Sequence, residues 1–322
     1  MVTSQRAFHW LITGGAGFIG SHLARALVQQ GQQVSVLDNL SGGTLENLRD
    51  IQDKIRFIRA DICDASAVTQ ACHGVDYVLH HAALVSVAES VAKPGQTAQI
   101  NVLGTQHVLE AARQNGVRRV VFASSAAVYG TRPELPYTED TPSDCQSPYA
   151  WSKQAGAQLC QLYTKNYGLE TVILRYFNVY GPGQNPGAAY AAVIAKFMQV
   201  AAARLPLEIE WDGLQSRDFV NVQDVVQANL LVALCGVPGE TYNVASGHTH
   251  TLLELADTIE KVSGRKLPRL HRPKRPGDVH DSAADIRKIR ALGFEPRVTL
   301  EEGLRDMWEH RAAAVRGVCC NG

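Results

Sequence analysis

One junction constrains this chain more than any other feature. The apolar run Phe8-His9-Trp10-Leu11-Ile12-Thr13 leads directly into Gly14-Gly15-Ala16-Gly17-Phe18-Ile19-Gly20, and residues 21–30 then carry Leu23, Ala26 and Leu27 at helical spacing before Gly31. A strand, a glycine loop and a helix in that order let the backbone approach a pyrophosphate. The helix N-terminus behind the loop adds free N–H groups and the positive end of its dipole. Gly14, Gly17 and Gly20 give the GxxGxxG spacing. A second strand, 34–37, ends at Asp38, where a carboxylate can accept from a ribose 2′-hydroxyl and would repel a 2′-phosphate. The expected cofactor is therefore NAD rather than NADP.

Apolar strand-like runs recur at 55–58, 75–80, 120–123 and 171–174. Helical stretches at about 97–115 and 149–167 separate the later ones and end on Gly116 and Gly168. Strands separated by helices imply parallel βαβ units. The expectation is an α/β fold, a doubly wound parallel sheet of the Rossmann kind over residues 7–180, with Asp61 and Ile62 after the third strand meeting the adenine. Beyond Gly181 the rhythm changes. A turn-rich stretch precedes a helix at 190–203, a strand at 207–211, helices at 222–235 and 252–263, and a Pro- and Arg-rich segment at 268–276. Residues 181–312 are expected to form a smaller C-terminal α/β domain, mainly for substrate, that returns a strand and helix to the sheet. Residues 313–322, which include Cys319-Cys320, are expected as a flexible tail.

Composition excludes several classes of function. Lys plus Arg and Asp plus Glu are both 31, so the formal net charge is zero and nothing draws the whole chain to nucleic acid or an anionic membrane. No apolar run reaches the roughly 18 residues of a membrane helix. A cleaved signal peptide would remove the first strand, so a cytoplasmic protein is expected. The cysteines number seven, without a CxxC pair, which argues against a disulfide framework or a zinc site. His248 and His250 read as surface residues, and no metal is expected.

Tyr149-Ala150-Trp151-Ser152-Lys153 is a YxxxK, which on a helix sets phenol and ammonium on one face. A free phenol has a pKa of about 10. A nearby ammonium and a positively charged nicotinamide ring favour phenolate, so Tyr149 can serve as a base. Upstream, Ser124-Ser125 ends the strand at 120–123, where a serine hydroxyl can bond a substrate oxygen and orient the phenol.

With these residues in place the chain resembles the extended short-chain dehydrogenase/reductase family. The motifs TGGAGFIG, LDNLSGG, ADICD, HHAALVSV, INVLGT, SSAAVYG, SPYAWSK, LRYFNVYGPGQ, SRDFVNVQD and RPGDVHDSAAD run in order from Thr13 to Asp285. Within the family the resemblance is to UDP-sugar 4-epimerases. It implies that Tyr149 takes the proton of the sugar 4-hydroxyl while C4 gives hydride to NAD+, that the 4-keto sugar turns over, and that hydride returns to its other face. Lys153 is then expected to hold the nicotinamide ribose. Ser125 is expected as the triad serine, with Ser124 as second choice. For the cofactor the resemblance implies Gly14, Gly17, Phe18, Ile19, Gly20, Asp38, Asn39, Leu40, Ser41, Gly43, Asp61, Ile62, His81, Ala82, Ala83, Asn101, Tyr149, Lys153, Tyr176 and Phe177. For the UDP-sugar it implies Ser86, Ser125, Tyr149, Asn178, Ala192, Val193, Arg217, Arg275, Asp278 and Ser282.

Absences narrow the reading. Ala126 and Ala127 stand where nucleotide-sugar 4,6-dehydratases carry an Asp-Glu pair, so elimination lacks its proton shuttle. Ser282 is small at the position beside sugar C2 where epimerases restricted to glucose and galactose can have a Tyr. UDP-GlcNAc/UDP-GalNAc is therefore expected as substrate, together with UDP-Glc/UDP-Gal. Val85 replaces a lysine found there in some epimerases, which leaves the cofactor contacts of that loop open and favours Ser86 on the sugar. The alternatives are a UDP-glucuronate 4-epimerase, for which no carboxylate reader is identifiable, an oxidoreductase releasing a keto sugar, and an inactive NAD-sensing protein, against which the intact triad argues. The resemblance also implies a homodimer pairing the helices at 97–115 and 149–167 in a four-helix interface.

Overall fold

The computed structural model describes residues 7–185, 193–274 and 280–319, with side chains as far as Arg311. Seven strands make one parallel sheet. The chain lays down β1 (His9–Thr13), α1 (Phe18–Gln29), β2 (Gln33–Asp38) and β3 (Arg56–Arg59). It then forms α2 (Ala65–Ala71) and β4 (Tyr77–His80). Short helices α3 (Val87–Ala92) and α4 (Pro94–Ala98) follow. A π-helical turn, Gln99–Leu103, joins α4 to α5 (Gly104–Gln114). β5 (Arg119–Ser125), α6 (Pro148–Tyr167) and β6 (Glu170–Tyr176) complete this half. The sheet order is β3-β2-β1-β4-β5-β6, and a strand from the second half, Thr241–Val244, pairs with β6 at the far edge.

Strand residues alternate between two cores. Trp10 and Ile12 of β1, Tyr77 and Leu79 of β4, and Val121 and Ala123 of β5 pack on one face. Leu11, Val78, Val120 and Phe122 pack on the other, with α2, α5 and α6. Both faces are thus covered, which explains near-continuous apolar runs rather than alternation. α6 begins with Ser147, whose hydroxyl accepts from Ala150 N–H, and Pro148 in its first turn, and it ends at Gly168 in the left-handed conformation.

The second half supplies β7 (Asn178–Tyr180), α7 (Val193–Ala202), β8 (Leu207–Glu210), β9 (Ser216–Asn221), α8 (Val222–Cys235) and β10 (Thr241–Val244). After these come β11 (Thr249–Thr251), α9 (Leu252–Ser263), β12 (Arg269–Arg272), β13 (Asp281–Ser282), α10 (Arg287–Arg290) and α11 (Leu300–Cys319). α8 packs with α1 in the first core, through Val225, Ala228 and Val232. The rest surrounds a third core of Tyr180, Phe197, Met198, Ile209, Phe219, Leu255, Ile259 and Leu304. Here β9 pairs with β7, β11 and β13, and β8 pairs with β12. α11 continues to Cys319, through most of the stretch expected as a tail from 313. The acidic first turn of α11 (Glu301, Glu302) suits its dipole. No described helix is long and apolar enough to cross a membrane.

Candidate active site

The glycine loop folds against its own strand ends. Gly14 has φ +69, and a Cβ there would lie 2.7 Å from Ala82 N. At Gly20 a Cβ would lie 2.3 Å from Gly14 O, so only glycine allows α1 to start this close to the loop. Gly17 caps α1 without any side-chain hydrogen bond to the helix, which leaves its N-terminus open to an anion. Phe18 and Ile19 form the first turn, partly exposed beside it.

Asp38 is buried at the end of β2. Its Oδ2 accepts from Ala16 N–H at 2.9 Å and its Oδ1 from Leu40 N–H at 2.8 Å, with Leu40 at φ +63. Gly43 lies against Ala16, and Thr44 N–H donates to Ala16 O at 3.1 Å, so segment 38–44 wraps back over the glycine loop. Asn39 Nδ2 donates to Asp61 Oδ2 at 2.7 Å, its Oδ1 accepts from Ser41 N–H at 2.9 Å, and Asp61 Oδ1 accepts from Cys63 N–H at 2.8 Å. Those bonds outweigh burial and hold the Asp61 carboxyl below its usual range. Ile62 is buried against Gly104. All the residues expected at the adenosine end therefore converge.

At the opposite end His81, Ala82 and Ala83 follow β4. Tyr176 donates to Asn229 Oδ1 at 3.0 Å, so its oxygen accepts from His81 Nε2–H, also at 3.0 Å. Burial pushes the His81 pKa down to about 3, which keeps the ring neutral, and its buried Nδ1 has no hydrogen-bond partner. Ser124 Oγ is a second buried, unpartnered polar atom, at the end of β5. Phe177 is buried, with its N–H on Val244 O at 3.0 Å. Asn229 on α8 had no signal in the sequence, because only the fold brings it to Tyr176.

Ser125, Tyr149 and Lys153 meet where β5 ends against α6. Ser125 Oγ accepts from Ala127 N–H at 3.2 Å. Burial raises the Tyr149 phenol above its ordinary value, and a hydrogen bond with Ser125 pulls it back in part. This favours Ser125 over Ser124 as the partner of Tyr149. The Lys153 ammonium lies 6.0 Å from the Tyr149 ring centre and donates to Ala123 O at 2.8 Å, with its pKa lowered to about 8 by burial. Asn101 sits in the π-helical turn with its amide taken up by protein. Its Oδ1 accepts from Leu84 N–H at 2.7 Å, and its Nδ2 donates to Leu84 O and to Ser152 Oγ, each at 2.9 Å. It is thus beside the triad helix, bracing it rather than facing outward.

The expected substrate residues come from distant segments. β7 and β13 both pair with β9, Asn178 opposite Phe219 and Ser282 opposite Arg217. Arg217 Nη1 donates to Ser216 O at 2.8 Å and His280 O at 2.9 Å. Asn178 Nδ2 donates to Asp218 O at 2.9 Å. Ser86 caps α3 by accepting from Glu89 N–H, and Val193 opens α7. Ala192, Arg275 and Asp278 lie outside the described residues. Trp211, which the sequence reading passed over, packs against both neighbours of segment 275–279. Lys274 Nζ is 4.0 Å from its ring centre and the His280 ring is 4.8 Å away, edge-on.

Among the described residues no cluster of His, Cys, Asp or Glu could hold a metal. The residues fit NAD. The loop excludes side chains where a pyrophosphate passes, the α1 N-terminus is uncapped, a buried carboxylate ends β2, and two buried polar atoms at the other end lack partners. These residues also gather where the strand order reverses, between β1 and β4.

Known proteins match this architecture. The NAD dependent epimerase/dehydratase family matches residues 10–245. A UDP-glucose 4-epimerase of Mycolicibacterium smegmatis is 40% identical over 300 residues, covering 91% of this chain and 95% of the relative. A UDP-N-acetylglucosamine 4-epimerase from Methanobrevibacter ruminantium, in complex with UDP-N-acetylmuramic acid, superposes with TM-score 0.92 at 36% identity over 96% of this chain and 100% of that one. A dTDP-glucose 4,6-dehydratase from Streptomyces venezuelae with NAD bound superposes with TM-score 0.88 at 33% identity, over 96% and 98%. The chain therefore belongs to the NAD-dependent epimerase/dehydratase family, as an NAD-using enzyme with UDP-sugar 4-epimerases among its relatives.

Proposed function

We propose that the protein interconverts UDP-hexoses at C4, acting on UDP-GlcNAc/UDP-GalNAc and also on UDP-Glc/UDP-Gal. One observation carries the choice within the family. Ser125, Tyr149 and Lys153 are assembled, while the turn that follows Ser125 presents Ala126 and Ala127, neither of which can move a proton. That supports oxidation and return at one carbon over elimination of a neighbouring hydroxyl.

Bound NAD+ would accept hydride from C4 and return it, and its positive ring would oppose the burial that raises the Tyr149 phenol. Tyr149 then takes the 4-hydroxyl proton and later gives it back. Ser125 holds that oxygen and the phenol. Lys153 keeps a positive charge behind the tyrosine. Arg217 and Arg275 would meet the diphosphate, Asp278 the uridine ribose and Trp211 a flat base. Ser282, small and in register with Arg217 on the next strand, leaves room for an N-acetyl group. A homodimer through α5 and α6 fits the exposure of Trp151 and Leu162 on α6.

Purified protein should epimerise a panel of UDP-hexoses with no NAD added, because the cofactor is regenerated within each turnover. Turnover of UDP-Glc with none of UDP-GlcNAc would overturn the substrate assignment. Steady accumulation of NADH would overturn the epimerase.

A further inference from the structure

A buried hydrogen-bond chain connects the glycine loop to the catalytic helix, and His80 is its centre. Ala82 N–H donates to Thr13 Oγ1 at 3.2 Å, and Thr13 Oγ1 lies 2.7 Å from His80 Nδ1. On its other side His80 Nε2 is 3.0 Å from Thr105 Oγ1, which donates to Asn101 O at 2.6 Å. Asn101 then bonds Leu84 and Ser152, and Ser152 Oγ donates to Tyr149 O at 2.7 Å. Thr13, His80, Thr105, Asn101 and Ser152 are all buried.

The polarity of this chain follows from its ends. Thr105 uses its only proton on Asn101 O, so its oxygen accepts from His80 Nε2–H. His80 Nδ1 is then an acceptor, which the Thr13 hydroxyl fills while Thr13 itself accepts from Ala82. A second ring proton would make Thr13 accept twice and turn its own hydroxyl proton away from the ring. The imidazole is therefore a fixed neutral adaptor, accepting on the cofactor side and donating on the catalytic side. Both sides abut the site: Ala82 is the residue that a Cβ on Gly14 would strike, and Tyr149 begins the YxxxK turn.

We propose that His80 is a positioning residue that sets the glycine loop through Thr13 and the Tyr149 helix through Thr105 and Asn101. Its catalytic half rests on the epimerase reading above; its cofactor half does not. The two halves separate because an amide can replace only one ring nitrogen. Asn at position 80 can offer an acceptor near Nδ1 but does not reach Thr105. Gln can offer a donor near Nε2 but leaves Thr13 unmatched.

The test compares His80→Asn, His80→Gln and His80→Phe as full-length protein. NAD+ affinity is measured by calorimetry, and kcat and KM on the UDP-hexose that the wild type turns over best. His80→Gln should weaken NAD+ binding by about tenfold with kcat held near wild type, roughly the worth of one hydrogen bond. His80→Asn should lower kcat by about tenfold with NAD+ affinity held, and His80→Phe should lose both. Equal losses in the Asn and Gln variants, or a lowered melting temperature with neither reading changed, would overturn the proposal. If the wild type turns over no UDP-hexose, the epimerase reading fails on its own. Hydrogen exchange at residues 149–153 then replaces kcat, rising in His80→Asn and not in His80→Gln if the proposal holds, and rising in both or neither if it fails.

Discussion

The two halves of the molecule are built in different ways. The first half presents strand ends and a helix terminus from one parallel sheet, with a glycine loop at Gly14, Gly17 and Gly20 and a buried Asp38 carboxylate that fixes the backbone of Ala16 and Leu40. The second half gathers side chains from β7, β9 and β13 around short pairings of three and two residues. Backbone recognition suits a ligand that does not vary. Side chains on short strands suit one that does, since a single replacement there leaves the frame intact. On the function proposed above, the difference predicts that chemistry and selectivity are separable in this fold.

The largest effect should come from the cofactor half. Tyr149→Phe removes the proton acceptor while keeping the ring, and should lower kcat by about 10²–10⁴-fold. UDP-hexose affinity, measured by calorimetry, should stay near wild type. A fall in affinity matching the fall in kcat would show that the halves are not separable.

Next comes a change confined to the sugar side. Ser282→Tyr should reduce kcat/KM on UDP-GlcNAc relative to UDP-Glc by about 10–100-fold, the scale of steric discrimination in a pocket. NAD+ affinity should not move, and a parallel loss on both sugars would contradict the gate.

A third test sharpens the comparison through pH and leaves catalysis aside. His80 and His81 both have pKa values pushed down to about 3 by burial, against an ordinary 6.5. Below 6.5 the unfolded chain binds protons that the folded one refuses, so their contribution to stability is full above 6.5. It falls as pH falls toward 3, by about 1.4 kcal/mol per pH unit for each histidine. Urea unfolding between pH 6.5 and 4 should show this slope, and His81→Leu should remove its share. An unchanged slope in that variant would mean that His81 is charged in the folded state.

Much of the cofactor half is legible in sequence because its determinants are local. A strand, its glycine loop, its helix and the next strand's carboxylate fall within residues 9–38. Two-faced burial makes each strand an apolar run, and caps such as Ser147, Pro148 and Gly168 mark α6. The second half is less legible, because its site depends on non-local pairing. Nothing near Ser282 in sequence announces that it will lie beside Arg217. Asn229 and Trp211 carry no motif, and His80 reads as an ordinary strand residue until the hydroxyls on either side of it are placed. Asn101 is expected near the cofactor and the triad for its motif, and its amide bonds Leu84 and, on the triad helix, Ser152.

The return of β10 to the sheet edge has a consequence for biosynthesis. When the ribosome has released residues 1–180, six strands of the cofactor sheet exist and β6 is an open edge, with its backbone groups facing water and any neighbouring chain. α8, which covers part of the first core, has also not been made. The sheet of the cofactor half is therefore incomplete until β10 has been made. Its completion depends on residues 222–244, synthesised after β7, β8 and β9, so the two halves mature together or remain exposed together.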